Sequence, residues 1–396
     1  MQIGLLGKTN VGKSTFFSAA TETVVQIGNY PFTTIEPNVG ISYVHTDCAC
    51  KFFDIQHKNP LCMQGTRLIP VKLVDIAGLV PGAHEGKGLG NQFLDDSRQA
   101  EVLIHVVDIS GSTDIQGQPV PVGTHDPLED IKFVENEFDH WFKQILEREW
   151  NKLTKEIEQK TTKLVDGIAK RFSGLGIKDY EISNVLQNLG LLSKKTSEWT
   201  SLDLDNFVKE LRKKTKPMLV AANKADLCKD LAVLDKIKER NVIASSAEAE
   251  LLLKKATKAG LITYMPGDSK FIINENIKIT NEQQKALNVV KTILEKIKTT
   301  GVQKILNLAV FEILKQIVVY PVEDETKLSN KNGEVLPDAK LLPVNSTTKD
   351  LASSIHKDLE KGFLYAIDVK TKQRIGSDHT LQNGDVIKIM SSLSRG

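Results

Sequence analysis

One octapeptide constrains this chain more than any other feature: Gly7-Lys-Thr-Asn-Val-Gly12-Lys13-Ser14. It matches G-x-x-x-x-G-K-[ST] completely, follows an apolar run at residues 3–6 and opens a helix-like stretch at residues 14–20. In that setting the glycines let the backbone curl, so that several N–H groups face phosphate oxygens. Lys13 is placed to supply a cation to the β- and γ-phosphates and Ser14 a hydroxyl to Mg²⁺. Gly7, Asn10, Val11, Gly12 and Thr15 complete the expected contact set of the loop.

Further apolar, β-branched runs follow at residues 71–76, 102–109, 217–222 and 242–244. Alternating with helical patterns, they predict an α/β fold with a mostly parallel sheet covered on both faces. Residues 128–214 break the rhythm. Phe142, Leu146, Trp150, Leu153, Ile157, Leu164 and Ile168 fall mostly three or four apart, which predicts one apolar stripe on a long helix ending at Gly174 and Gly176. A second helix is expected near residues 179–189, and the whole reads as a helical insertion. Residues 316–319 and 362–369 read as strands, Leu351, Ile355 and Leu359 as one helix face, and Asn383-Gly384 as a turn before a last strand.

Composition excludes some classes. In 396 residues, 52 Lys and Arg balance 50 Asp and Glu, for a net charge of +2, so a uniformly basic binder is ruled out but local basic faces are not. The best candidate for a membrane span, residues 305–322, is interrupted by Glu312 and Lys315. Four cysteines do not make a disulfide framework, and no signal-peptide pattern opens the chain, so a reducing, cytoplasmic compartment is expected.

Three motifs accompany the phosphate loop. Asp75-Ile-Ala-Gly78 ends an apolar strand, where a second Mg²⁺-organising carboxylate belongs, and Gly78 has no side chain to keep its N–H from a γ-phosphate. Asn223-Lys224-Ala225-Asp226 follows another strand. The Asp226 carboxylate can accept both N1–H and the N2 amine of guanine, a donor pair that adenine lacks. Asn223 can reach the N7 side, and the Lys224 stem can lie over the ring. Ser245-Ser246-Ala247 can complete the base pocket through its backbone.

This motif order is that of the P-loop GTPases. Asn29-Tyr-Pro-Phe-Thr-Thr34-Ile-Glu-Pro-Asn38 resembles switch I of the Obg family, and the stretch from Asp75 through Leu79, His84, Gly90 and Asn91 is similar to switch II of its YchF branch. Leu381-Gln-Asn-Gly384-Asp385-Val386-Ile387 resembles the end of a TGS domain, a ubiquitin-like β-grasp module. The resemblance spans nearly the whole chain. It implies a GTP-binding domain at residues 1–127 and 215–305, a helical insertion at 128–214 and a TGS domain at 316–396.

By the same resemblance, Thr34 binds Mg²⁺ and senses the γ-phosphate, with adjacent Thr33 as its rival. Leu79 stands where Ras-type GTPases carry a water-orienting glutamine, so intrinsic hydrolysis of GTP to GDP is expected to be slow. Asn10 matches an asparagine that helps hold K⁺ in related GTPases. His105 matches a family histidine near switch II, against the alternative of a core histidine, and His84 is a further candidate. Many relatives carry Asn-x-x-Glu and favour ATP; the intact Asp226 points to GTP, with ATP as a second substrate. The resemblance also implies association with the ribosome or ribosomal RNA; a monomer and no membrane are expected. Candidate RNA faces are Lys152, Lys155, Lys160, Lys163, Lys170 and Arg171, then Lys209 and residues 212–214, and in the last module Lys370, Lys372 and Arg374.

Two other readings are weaker. A metabolic P-loop kinase has no use for a base-reading Asn-Lys-x-Asp, and a scaffold with a degenerate site would not need Lys13, Ser14 and Asp75 intact. Cys48, Cys50 and Cys62, with His45 and His57 nearby, can be imagined as zinc ligands. Their spacing is not a standard zinc pattern, however, and the stretch reads as an ordinary excursion between paired strands.

Overall fold

In a computed structural model, residues 1–23, 38–76, 96–228, 231–237 and 240–393 are described. The chain forms two compact units; their described residues are 1–22, 38–41, 72–76, 96–228, 231–237 and 240–305 for the first, and 23, 42–71 and 306–393 for the second.

Seven strands make the larger sheet: β1 (Gln2–Leu6), β2 (Val39–Asp47), β3 (Cys62–Met63), β4 (Thr66–Asp75), β5 (Val102–Asp108), β6 (Met218–Asn223) and β7 (Val242–Ala244). Their order is β2-β4-β1-β5-β6-β7, with β3 paired to β4. From β4 through β7 the pairing is parallel, with Gly4 opposite both Val74 and Leu103, and Ala221 opposite both Val106 and Ile243. Every residue of β5 is buried, as a central strand covered on both faces requires. Parallel pairing brings the carboxyl ends of β1, β4, β5, β6 and β7 to one edge. That edge carries the phosphate loop, Asp75, Asp108, Asn223 and the Ser245 turn.

The helices begin with α1 (Lys13–Thr21) and α2 (Ala49–Phe53). The stripe expected on one long helix belongs instead to three: α3 (Pro127–Glu147), α4 (Trp150–Glu158) and α5 (Leu164–Arg171). Lys160 adopts φ 58°, a left-handed conformation that a right-handed helix cannot pass through. The apolar spacing survives the breaks because each helix turns a face to the same core, where Phe142, Leu146, Leu153 and Ile168 meet Phe172 and Phe207. Helix α6 (Asp179–Asn188) lies where expected, and α7 (Ser201–Thr215) starts on a Thr200–Asp203 capping box. Helices α8 (Ala247–Lys258) and α9 (Asn281–Ile297) complete the first unit's main frame.

The second unit is built on a five-stranded sheet of β10 (Gln316–Val322), β11 (Lys340–Pro343), β12 (Phe363–Asp368), β13 (Gln373–Ile375) and β14 (Asp385–Ser391); the short β8 (Ile262–Thr263) and β9 (Ile272–Ile273) pair apart from it. The order is β11-β10-β14-β12-β13, with β10 and β14 parallel. After α10 (Val302–Asn307), α11 (Thr348–Ile355) buries Leu351 against Val319, Ala366 and Ile387. The expected face of Leu351, Ile355 and Leu359 does not form, because His356 is extended and caps a separate α12 (Lys357–Lys361), leaving Ile355 exposed. Residues 42–71 belong to this unit, a grouping that the sequence did not suggest. Tyr320 donates its hydroxyl to Asp47 O at 3.0 Å, and Arg67 donates to Leu336 O at 2.9 Å and Pro337 O at 3.2 Å. Among the described residues, no helix is long and apolar enough to cross a membrane.

Candidate functional site

The phosphate loop leaves β1 and enters α1 through two left-handed residues, Asn10 at φ 61° and Gly12 at φ 92°. A Cβ at Gly12 would run into the Asn223 amide, so this position has neither the space nor the backbone for another residue. No side chain caps the amino end of α1, which leaves its first N–H groups available to an anion. Lys13 pairs with Asp75, which unites the first two motifs, and the Ser14 hydroxyl is exposed beside them.

A loop that sequence reasoning missed supports the phosphate loop from below. Lys8 is buried and donates to Asp130 at 2.8 Å, to Thr113 O at 3.0 Å and to Asp114 O at 2.6 Å. His125 reaches the same Asp130 carboxylate at 2.8 Å. Asn10 Nδ2 donates to Gly117 O at 2.8 Å, and a Cβ at Gly117 would collide with Thr9. The Asn10 Oδ1 has no hydrogen bond among the described residues. The only sequence trace of this support is Lys8 itself, a lysine inside an otherwise apolar and glycine-rich turn.

At the end of β5, Asp108 is fully buried and accepts from Ser110 (2.5 Å), Ser112 (2.7 Å), Thr113 (3.0 Å) and Lys224 (2.9 Å). Burial pushes its carboxyl up, but the hydrogen bonds from Ser110, Lys224 and Ser112 outweigh this and hold it below its ordinary value. The ion pair pins Lys224, itself left-handed at φ 60°, to the carboxyl end of β5.

Asn223 braces the site through both ends of its amide. Its Nδ2 donates to Val11 O at 3.0 Å and its Oδ1 accepts from the Ala247 N–H at 3.0 Å, so the side chain is a strut between three motifs. The backbone donors expected to line a base pocket are likewise engaged: Ser245 N–H on Ala222 O at 2.8 Å and Ser246 N–H on Thr300 O at 2.9 Å. Asp226 differs from its neighbours, since among the described residues no hydrogen bond or ion pair engages its half-buried carboxylate. His105 lies inside β5, buried, where burial and the nearby Lys8 charge push its imidazole down to about 3. It is a neutral core side chain at physiological pH. Thr33, Thr34, Gly78, Leu79 and His84 fall outside the described residues.

Three family models match the chain: a 50S ribosome-binding GTPase model over residues 2–136, the G4 motif-containing domain of YGR210-like Obg-like GTPases over 221–324, and a TGS domain over 333–391. An uncharacterized GTP-binding protein of Methanocaldococcus jannaschii is 47% identical, over 98% of this chain and 99% of that one. A ribosome-binding ATPase YchF of Pasteurella multocida is 30% identical, over 97% of both.

The chain belongs to the YchF-type Obg-like GTPases.

The crystal structure of a GTP-binding protein from Pyrococcus horikoshii superposes with a TM-score of 0.78 at 41% identity, covering 99% of this chain and all of that one. The YchF-type architecture of a P-loop GTPase domain, a helical insertion and a carboxyl-terminal TGS domain is therefore the architecture of this chain.

Proposed function

We propose that this chain is a Mg²⁺-dependent GTPase that hydrolyses GTP slowly and associates with the ribosome according to its nucleotide state. The observation that carries the base preference is the Asp226 carboxylate, the one acceptor of the base-reading set with no hydrogen bond or ion pair among the described residues. A carboxylate so placed matches the paired N–H donors of guanine and offers adenine nothing equivalent. The exposed Ser14 hydroxyl and the Asp75 carboxylate are hard oxygen donors that fit Mg²⁺. Bound there, the ion would neutralise charge on the β- and γ-phosphates. Lys13, now held by Asp75, is the cation that phosphate oxygens compete for.

Hydrolysis is slow in this reading because Leu79 cannot orient water. The uncommitted Oδ1 of Asn10 is the group that would help hold K⁺, beside a loop already fixed by its Nδ2. The ribosome enters through the name of the P. multocida relative and of the matching family model. Exposed Lys152, Lys155, Lys160, Lys163 and Lys170 offer a phosphate-binding face on α4, α5 and their connection. Arg212 does not contribute, being buried against Asp139 at 2.8 Å, and Arg171 is paired with Glu149 at 3.1 Å.

The test is a titration with GTP, GDP and ATP, followed by hydrolysis with and without Mg²⁺ and K⁺, and ribosome co-sedimentation with GDP and a non-hydrolysable GTP analogue. GTP should bind more tightly than ATP, and Lys13→Ala should weaken GTP by about 100-fold or more, the scale of a lost charge-assisted contact to phosphate. Preference for ATP would sink the guanine assignment, and sedimentation indifferent to nucleotide would sink the switch.

A further inference from the structure

The second unit holds a cluster that the nucleotide site does not use. Cys48, Cys50, His57 and Cys62 each bring one ligand atom to within 4.8 Å of all the others. Cys50 Sγ lies 3.8 Å from Cys62 Sγ, and Cys48 Sγ lies 3.6 Å from His57 Nε2. A tetrahedral zinc with Zn–S of about 2.3 Å and Zn–N of about 2.0 Å has S···S edges of about 3.8 Å and S···N edges of about 3.6 Å. His45, the other histidine of the stretch, is not a member of the cluster.

The unusual C-x-C spacing works because the backbone changes type between the two residues. Cys48 is the extended amino-terminal cap of α2, at φ −76° and ψ 142°, and Cys50 lies in the first turn of that helix. Cys62 comes from β3, whose partner across the ladder is Arg67.

Arg67 supplies an independent observation. It is almost fully buried; among the described residues its guanidinium meets only the carbonyls of Leu336 and Pro337 and the face of Tyr320, and its Nε has no partner. Among the described residues no carboxylate pairs with it. An arginine keeps its charge when buried and needs an anion. Directly opposed residues on adjacent strands share a face, so Arg67 stands next to Cys62.

We infer that Cys48, Cys50, His57 and Cys62 form a structural zinc site, with Arg67 as its counter-charge. Three thiolates, one neutral imidazole and Zn²⁺ sum to −1, which the guanidinium balances. Binding displaces three thiol protons to solvent and changes no oxidation state. Ligation through Nε2 puts the ring proton on Nδ1, so the 3.4 Å hydrogen bond that Nδ1 accepts from the Asn59 N–H is given up. The ligand atoms sit too close together to enclose a cluster of several irons.

The full chain, purified under reducing conditions and never exposed to chelator, should carry about one zinc per molecule by plasma mass spectrometry. Cobalt exchanged into the site should show thiolate-to-metal charge transfer and the intense d–d bands of a tetrahedral centre. Cys50→Ser and Cys62→Ser should lose the metal, and Cys228→Ser should keep it. Arg67→Met leaves all four ligands in place and should weaken affinity, in competition with a chromophoric chelator, by about tenfold or more. Because ligand variants can unfold, wild-type stoichiometry and the cobalt spectrum stand as measurements of their own. The inference is overturned if folded wild-type protein shows four reactive thiols and binds neither added Zn²⁺ nor Co²⁺. It is equally overturned if Cys50→Ser retains full metal, or if Cys50 and Cys62 are found joined as a disulfide in the reduced preparation.

Discussion

The nucleotide edge of the first unit and the cysteine excursion of the second treat buried positive charge in opposite ways. At the nucleotide edge each enclosed lysine has its own carboxylate: Lys8 with Asp130, Lys13 with Asp75, Lys224 with Asp108. In the excursion Arg67 has carbonyl oxygens and an aromatic face, and no anion among the described residues. A third case separates the two. Lys216 is also buried, and among the described residues its amine donates only to carbonyls, Arg98 O and Ala100 O, each at 2.7 Å. Burial pushes its amine down to about 8, so it can shed its proton. Arginine has no such escape. An unpaired buried guanidinium thus reports a missing negative charge in a way that an unpaired buried lysine does not.

The sharpest test of this contrast is Asp130→Ala. It strands Lys8 with carbonyls alone and should cost about 3–5 kcal/mol of stability in denaturant unfolding, as removal of one partner from a buried pair does. The double variant Lys8→Met/Asp130→Ala should recover part of that loss. If Asp130→Ala is nearly neutral, paired charge is not what holds this edge. Next in size is Asp226→Asn, which leaves every charge pair intact. It should weaken GTP by about 30-fold, roughly 2 kcal/mol, and leave ATP affinity unchanged in equilibrium titration. Loss of both nucleotides together would mean that the residue shapes the loop rather than reads the base. The smallest effect concerns Lys216. Its folded value lies near 8 against an ordinary 10.5, so between those pH values the unfolded chain binds more protons and stability rises with pH. Below pH 8 that contribution is flat. Unfolding of wild type and Lys216→Met from pH 7 to 10.5 should show the rise in the first and not in the second; parallel curves would mean that the amine stays protonated in the folded chain.

The motifs were legible because their chemistry is contiguous. Gly12, Lys13 and Ser14 are neighbours, and Asp226 lies three residues from Asn223. The supports were not, because their partners lie far apart in the chain. Lys8 finds Asp130 122 residues away, and Asn223 finds Val11 across 212. Nothing local announces either pairing. The helical stripe marks a face and not one helix, since periodicity records which side chains meet a core and is blind to a left-handed residue such as Lys160 between them. The gathering of Cys48, Cys50, His57 and Cys62 was illegible for a related reason. Spacing rules assume a uniform backbone, and here Cys48 and Cys50 straddle the change from extended chain to helix.

Asn223 carries one more consequence. Its two hydrogen bonds tie the loop under the phosphates to the turn that follows β7, while its own backbone ends the strand that leads to Asp226. In the proposed GTPase, grip on the triphosphate and recognition of the base would therefore share a single mechanical joint. A factor that hastened nucleotide release would not have to touch the nucleotide, because pulling on the segment after β7 loosens both ends of the ligand at once.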